Sequence, residues 1–271
     1  SIEGHDEKFQ KTLKNTKSVL AVFGSLVPTK GTFDRKGKAR IFAKGGNIKN
    51  YVYNYEYSLG SLHALEKNVK GLGSINYITQ NDAVVRSLPL IVVFNGKLFP
   101  TFGLEMIRVG EKKKTIITNL NENGIKNINI RPYEFKTDKN SLIWVKYNRS
   151  INSNYISAEK VFEGNFKDGF FKDKYVLIGA SAKGLFDTVK IPTGETVPGV
   201  QVHANVIENL LNNSFLKRND GIFIFELILS IIISIAAFVI SQKIKPKYSL
   251  SIIFAGLIII FIIGLSIYKF R

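Results

Sequence analysis

Ile222-Phe223-Ile224-Phe225-Glu226-Leu227-Ile228-Leu229-Ser230, continued by Ile231-Ile232-Ile233-Ser234-Ile235-Ala236-Ala237-Phe238-Val239-Ile240, divides the chain in two. A helix that spans a bilayer needs about 20 such residues. A soluble core helix would carry a polar stripe at about every 3.6 residues, and this run has none. A second apolar run covers 250–268. The two predict a transmembrane hairpin over 217–271, with spans at about 221–241 and 249–268. The connecting Gln242-Lys243-Ile244-Lys245-Pro246-Lys247-Tyr248 is short and lysine-rich, which places it on the cytoplasmic side. Both outer ends, and the domain before the hairpin, then lie outside. Lys217, Arg218, Lys269 and Arg271 flank those outer ends and oppose that orientation. Ser230 and Ser234 form a small-xxx-small pair, and Gly256 and Gly264 lie in the second run. Such residues let helices approach closely, within the hairpin first and in a homodimer second. Glu226 lies one turn inside the first span, at a depth that reaches the headgroup zone.

Ahead of the hairpin, residues 1–216 are mixed and charged, enough for one domain of ordinary size. The formal net charge is +17. The lysines are scattered and accompany no nucleic-acid motif, so a bias toward Lys, Asn and Ile explains them better than a nucleic-acid partner. There is no cysteine, which excludes disulfides, thiolate metal sites and a cysteine nucleophile. His5, His63 and His203 have no metal-ligand spacing, and no cofactor is expected. The chain begins at Ser1, its one methionine is Met106, and no amino-terminal apolar segment is present. It is expected to start inside a longer chain or to have lost its initiator.

The patterning of the front predicts an α/β domain: a mixed sheet with flanking helices. Residues 5–15 read as a polar helix with Phe9 and Leu13 on one face. The run 19–24 reads as a buried strand, and 30–50 as a loop. Leu59, Leu62, Leu65 and Val69 recur at helical spacing, with Gly71 as the stop and His63 exposed. A strand-like region begins at 74–77. Residues 84–94 are β-rich, and Asn95-Gly96 signals a hairpin into Lys97-Leu98-Phe99. Pro89 suggests an edge or a bulge. Pro100 and Thr101 open a helix to Val109 with Phe102 and Met106 inward. Further strands are expected at 116–118, 125–130 and 142–147, a short helix at 158–162, a second buried strand at 175–179, and a largely buried helix at 200–211.

No catalytic motif survives inspection. Gly179-Ala180-Ser181-Ala182-Lys183-Gly184-Leu185 follows the expected strand at 175–179. It is not a phosphate loop, because Leu185 follows Gly184 where Lys is required. It is not a nucleophile elbow, because Lys183 stands where the last Gly should. It is not a dinucleotide fingerprint, because Ser181 occupies the second Gly. A tight turn remains. Ligands bind beyond the carboxyl ends of strands in open α/β sheets, which would put Ser181, Lys183 and Asp187 in a candidate ligand site. His203 and Asn205 near the start of the next helix join that set, although a lone histidine on an apolar face is more often a core residue. Asp82 and Arg86 would pair at the entry to the hairpin strand or line a pocket. Ser157 and Lys160 match Ser-x-x-Lys without its companion motifs.

Taken in order, Asp82-Ala83-Val84-Val85-Arg86-Ser87-Leu88-Pro89-Leu90, Phe99-Pro100-Thr101-Phe102-Gly103-Leu104-Glu105, Tyr175-Val176-Leu177-Ile178-Gly179-Ala180-Ser181-Ala182 and Ile191-Pro192 through Pro198-Gly199-Val200-Gln201-Val202-His203-Ala204-Asn205 resemble the CHASE type 2 sensor domain of bacterial signalling receptors. The resemblance covers most of 5–213 and implies a domain on the periplasmic or extracellular face of the inner membrane. It also implies a preceding membrane helix and strand, three following spans, and a cytoplasmic cyclase or kinase output. The expected function is a membrane-anchored sensory module lacking its output domain, non-enzymatic in itself, with an unidentified small-molecule ligand. Two alternatives are a fragment of an adenylate or guanylate cyclase receptor and a structural membrane protein without signalling. Ala83 replaces a glycine usual in the family, which assigns no ligand residue.

Overall fold

The computed structural model of the chain describes residues 4–29, 34–148, 155–181, 187–216 and 220–243, with 254–256, 258, 261 and 262. The chain divides into two compact units, Ser1–Lys217 and Arg218–Arg271.

The first unit opens with α1 (His5–Asn15) and β1 (Val19–Ser25), followed by β2 (Arg40–Lys44), a 3-10 turn (Ile48–Asn50), β3 (Tyr53–Tyr55), β4 (Tyr57–Gly60) and α2 (His63–Asn68). Its middle holds β5 (Gly71–Ser74), β6 (Ile78–Thr79), β7 (Val85–Pro89), β8 (Ile91–Phe94), β9 (Lys97–Pro100) and α3 (Phe102–Gly110). Then come β10 (Thr115–Asn121), β11 (Gly124–Ile130), β12 (Tyr133–Lys136), β13 (Leu142–Trp144), α4 (Ala158–Glu163), β14 (Thr188–Lys190), β15 (Thr196–Pro198) and α5 (Gly199–Leu211).

The α/β class holds, but the strands form several small sheets rather than one. β1 lies between antiparallel β4 and parallel β5. β10 joins β11 antiparallel and β2 parallel, with β12 on the far edge. β7 lies between β13 and β6, and β8 between β3 and β9. Strict alternation on β10 turns Ile116, Thr118 and Leu120 inward, as a half-buried strand requires. β8 is buried on both faces, which its unbroken Ile-Val-Val-Phe composition permits. Asn95 and Gly96, at φ 45 and 72, make the turn from β8 to β9 with both central residues left-handed, as expected.

Two helices fix the centre of the unit. α5 buries Val202, Val206, Ile207 and Leu210. α3 buries Leu104 and Ile107, while Phe102 and Met106, expected inward, are only half-buried. Gly103 permits the close approach of the two helices, since a Cβ there would lie 2.9 Å from Val206 Cγ1. α3 also lies tight on β5. A Cβ on Gly73 would stand 2.5 Å from Phe102 Cα, and one on Gly71 would stand 2.7 Å from Glu105 Cγ. Buried Glu105 accepts from Arg108 at 2.6 and 2.7 Å and from the Leu72 N–H at 3.3 Å. Arg108 in turn donates to the carbonyls of Lys70 and Lys113. The charge pair is saturated, which is the condition for a buried pair to be tolerated.

Several expectations need correction. Residues 175–179 form no strand: Val176 is 47% and Ile178 98% exposed, with Tyr175 and Leu177 half-buried. The segment lies against the rest of the unit where Gly179 meets Val200 and Tyr175 meets Gly110. An apolar run reads the same whether it is covered on one face or two. Residues 30–50 contain β2, an edge strand with mostly exposed side chains whose apolar run, Ile41, Phe42 and Ala43, is too short to stand out. The helix expected from Leu59 begins only at His63, because Leu59 pairs with Phe23 in β4. The buried residue of α2 is Glu66, bound to the buried Arg35 at 2.9 Å. Gly71 opens β5 rather than ending a helix. Pro89 is neither at an edge nor in a bulge; it is the last residue of central β7, paired with Leu142 where the chain leaves for the next sheet.

The second unit contains α6 (Asp220–Lys243). Along 224–239 its side chains are exposed. The hydroxyls of Ser230 and Ser234 donate to the carbonyls of Leu227 and Ser230, both at 2.8 Å. Among the described residues, no helix is long and apolar enough to cross a membrane. Most of the second expected span, 249–268, lies outside the described residues.

Candidate functional site

Three places hold the candidate residues. At the entry to β7, Arg86 donates to both carboxylate oxygens of Asp82, at 3.0 and 2.7 Å, and to Gln80 Oε1 at 3.1 Å. Asp82 Oδ1 also accepts from the Val84 N–H at 3.1 Å, closing a turn around Ala83. The Arg86 guanidinium holds the Asp82 carboxyl down at about 2. The carboxylate and the guanidinium satisfy each other on an open surface, which suits a turn brace. The shallow recess beside them is lined by Gln80, Asn81 and Asp82.

The second place is the head of α5; of the five residues expected there, four are described. Ser181 is exposed, and Lys183 lies outside the described residues. Asp187 is exposed, its backbone carbonyl accepts from the Gly199 N–H at 2.9 Å, and its carboxylate lies against Gly199. A carboxylate there complements the amino end of the helix. His203 is buried, set edge-on to Phe102 at 5.7 Å and hydrogen-bonded to the Ile75 backbone. Its Nδ1 has no hydrogen-bond partner, and burial pushes the imidazole down to about 4. Asn205 is consumed structurally: Oδ1 accepts from the Asn148 N–H at 3.2 Å and Nδ2 donates to the Gln201 carbonyl at 3.0 Å. Asn209 clasps both backbone groups of Lys146, at 2.6 and 2.9 Å. These buried amides on α5 stand in for a strand partner to 146–148.

The third place was not among the residues singled out from sequence. Beyond the carboxyl ends of parallel β1 and β5 lies a cleft of about 410 Å³ lined by Phe23, Gly24, Ser25, Leu26, Val27, Tyr55, Asn76 and Tyr77. Asn76 builds its floor. Its Oδ1 accepts from the Gly24 N–H at 2.7 Å and its Nδ2 donates to the Gly24 carbonyl at 2.9 Å. Ser74 Oγ braces Asn76 from beneath, at 3.1 and 3.2 Å. Gly24 is obligatory, because a Cβ there would collide with the rings of Phe94 and Tyr55. Ser25 Oγ donates to the Val27 carbonyl at 2.8 Å and accepts its N–H at 3.1 Å. Phe23 on β1 and Leu26 and Val27 in that turn face outward, 46%, 68% and 64% exposed. The strand-end rule applied to the apolar run 19–24 would have found this site. Among the described residues, no group of three or more His, Asp or Glu could hold a metal ion.

The CHASE2 domain model matches residues 2–241. A stretch of 74 residues is 34% identical to polyprotein CP of Cassava vein mosaic virus, covering 27% of this chain and 5% of that protein. The chain thus spans about 5% of the length of that relative, which carries no argument for function. No solved structure matches.

Proposed function

The chain belongs to the CHASE2 domain family, an extracytoplasmic sensory domain of signalling receptors, and from that premise we propose that it is a membrane-anchored sensory module. The observation that carries the reading is the reach of the family match, which runs from the folded first unit into α6. The exposed face of α6 supports it. Ile224, Phe225, Ile228, Ile231, Ile232, Ile235 and Phe238 are all open to the surroundings, which in water would be a large unfavourable area. Ser230 and Ser234 spend their hydroxyls on their own helix, as a lipid environment demands.

In this reading residues 1–216 face the periplasm or exterior, 221–241 and 249–268 span the inner membrane, and the lysine-rich loop faces the cytoplasm. A small extracytoplasmic molecule biases the first unit between two states, and the spans carry the bias inward to an output domain. A homodimer would let the Ser230 and Ser234 stripe pass that bias between copies. The test is a pair of reporter fusions at Lys245 in a bacterial host. A reporter active only in the cytoplasm should be on and one active only in the periplasm off. The reverse pattern defeats this topology.

A further inference from the structure

We propose that the cleft beyond β1 and β5 is the sensor's ligand site and that it takes a small uncharged molecule with an apolar, ring-bearing body. This rests on the reading of the chain as a sensory module and names the chemistry of its ligand.

Of the eight lining residues, Phe23, Leu26 and Val27 offer apolar surface, and Tyr55 and Tyr77 offer rings with a hydroxyl at the tip. None carries a charge, in a chain with 38 Lys and Arg. A charged ligand entering the cleft would lose hydration and find no counter-charge in the lining, an unfavourable exchange. The polar groups of the floor are spent. Gly24 is bound through both backbone groups to Asn76, and Ser25 is closed on Val27. The floor is therefore fixed and passive, and recognition falls to the rings and the rim. Tyr55 is half-buried and tilted on Phe94 at 5.8 Å, so its ring is held in place before anything binds. Phe23 on β1 and Leu26 and Val27 in the Ser25 turn stand out of the core, where they gain nothing unless something covers them. A volume of about 410 Å³ suits a small organic molecule.

The same strand ends connect the cleft to the core. Asn76 follows Ile75, whose backbone meets buried His203 on α5, and the Ile75 N–H donates to the Val22 carbonyl at 3.0 Å. A molecule pressing on the floor thus bears on α5 through one residue.

The experiment uses the full chain in lipid nanodiscs, with empty nanodiscs as the control. Three probes of nearly equal size and shape are compared by saturation-transfer NMR and calorimetry: benzamide (neutral), benzoate (anionic) and benzamidinium (cationic). Non-specific attraction to a protein of net charge +17 would rank benzoate first. Benzamide should bind more tightly than either ion, by about tenfold. Val27→Trp, at an exposed rim position, should abolish benzamide binding, and Leu26→Arg should turn the preference toward benzoate, both with unchanged circular dichroism and melting temperature. Equal binding of the three probes, benzoate ranking first in the unaltered chain, or benzamide binding that survives Val27→Trp overturns the proposal. So does a cross-link between two chains through position 27 that blocks the cleft, since the rim would then be covered by a second copy. None of these outcomes alters the Lys245 reporters, so the cleft and the topology fail separately.

Discussion

His203 carries a large electrostatic consequence for a single side chain. Its folded imidazole is pushed down to about 4 from an ordinary 6.5 because burial disfavours the cation. Between those values the unfolded chain binds a proton that the fold refuses. Stability from this group is therefore complete above about 6.5 and lost as pH falls toward about 4. A shift of that size amounts to about 3 kcal/mol. Buried Glu105 opposes it: burial raises its carboxyl above 4.5 despite Arg108, so its contribution declines as pH rises through that region. Urea unfolding of the full chain at pH 7 and pH 5 should show a fall in stability that His203→Gln largely removes. Parallel losses in both proteins would refute the assignment. Ala83 gives a second prediction. It sits at φ 58, the left-handed region, inside the turn that Asp82 and Arg86 brace. Ala83→Gly should relieve strain and stabilise the chain by about 0.5–1 kcal/mol, read as a raised melting temperature. The glycine usual at this place in the family then has a backbone cause.

At the scale of elements, the tight seat of α3 on β5 makes a sharper forecast. Gly73 faces backbone, Phe102 Cα at 2.5 Å, and backbone cannot swing aside as a side chain can. Gly73→Ala should cost about 3 kcal/mol by overpacking, whereas Gly96→Ala, where no atom lies within 4 Å of a Cβ, should cost only the strain of its positive φ. Equal melting temperatures for the two variants would show that α3 does not sit as described. These elements also explain what could be read in advance. The Asn95-Gly96 hairpin was legible because its signal is local and chemical. α5 was legible because its apolar face repeats at helical spacing. β2 was not, since its apolar run is only Ile41, Phe42 and Ala43, set between Arg40 and Lys44 in a lysine- and glycine-rich stretch. Tyr175 to Gly179 misled because apolar content does not report whether a partner lies alongside. The site followed the same rule. Residues with chemical character, such as Asn205, proved to be braces, while the cleft is built from side chains that sequence reading assigns to the core.

At the scale of the whole molecule, the exposed apolar length of α6 poses the question of its solvent. The first unit has the mixed surface of a water-soluble domain, with its core in Val85, Leu88, Leu104, Ile107, Ile116, Val202 and Val206. α6 has no comparable division: along 224–239 its large apolar side chains are exposed on every side. A helix apolar all round is buried in protein or in lipid. If lipid covers α6, Ile232 lies near the middle of the proposed 221–241 span. An arginine there should then oppose insertion by about 3 kcal/mol. Ile232→Arg should therefore lower the fraction of full-length chain that stays with membranes after an alkaline wash. Ile232→Leu should leave it unchanged, and Glu226→Gln, near the proposed interface, should change it little. If the arginine variant remains in the membrane as firmly as the leucine variant, α6 is not a span, and its apolar face must be covered by protein.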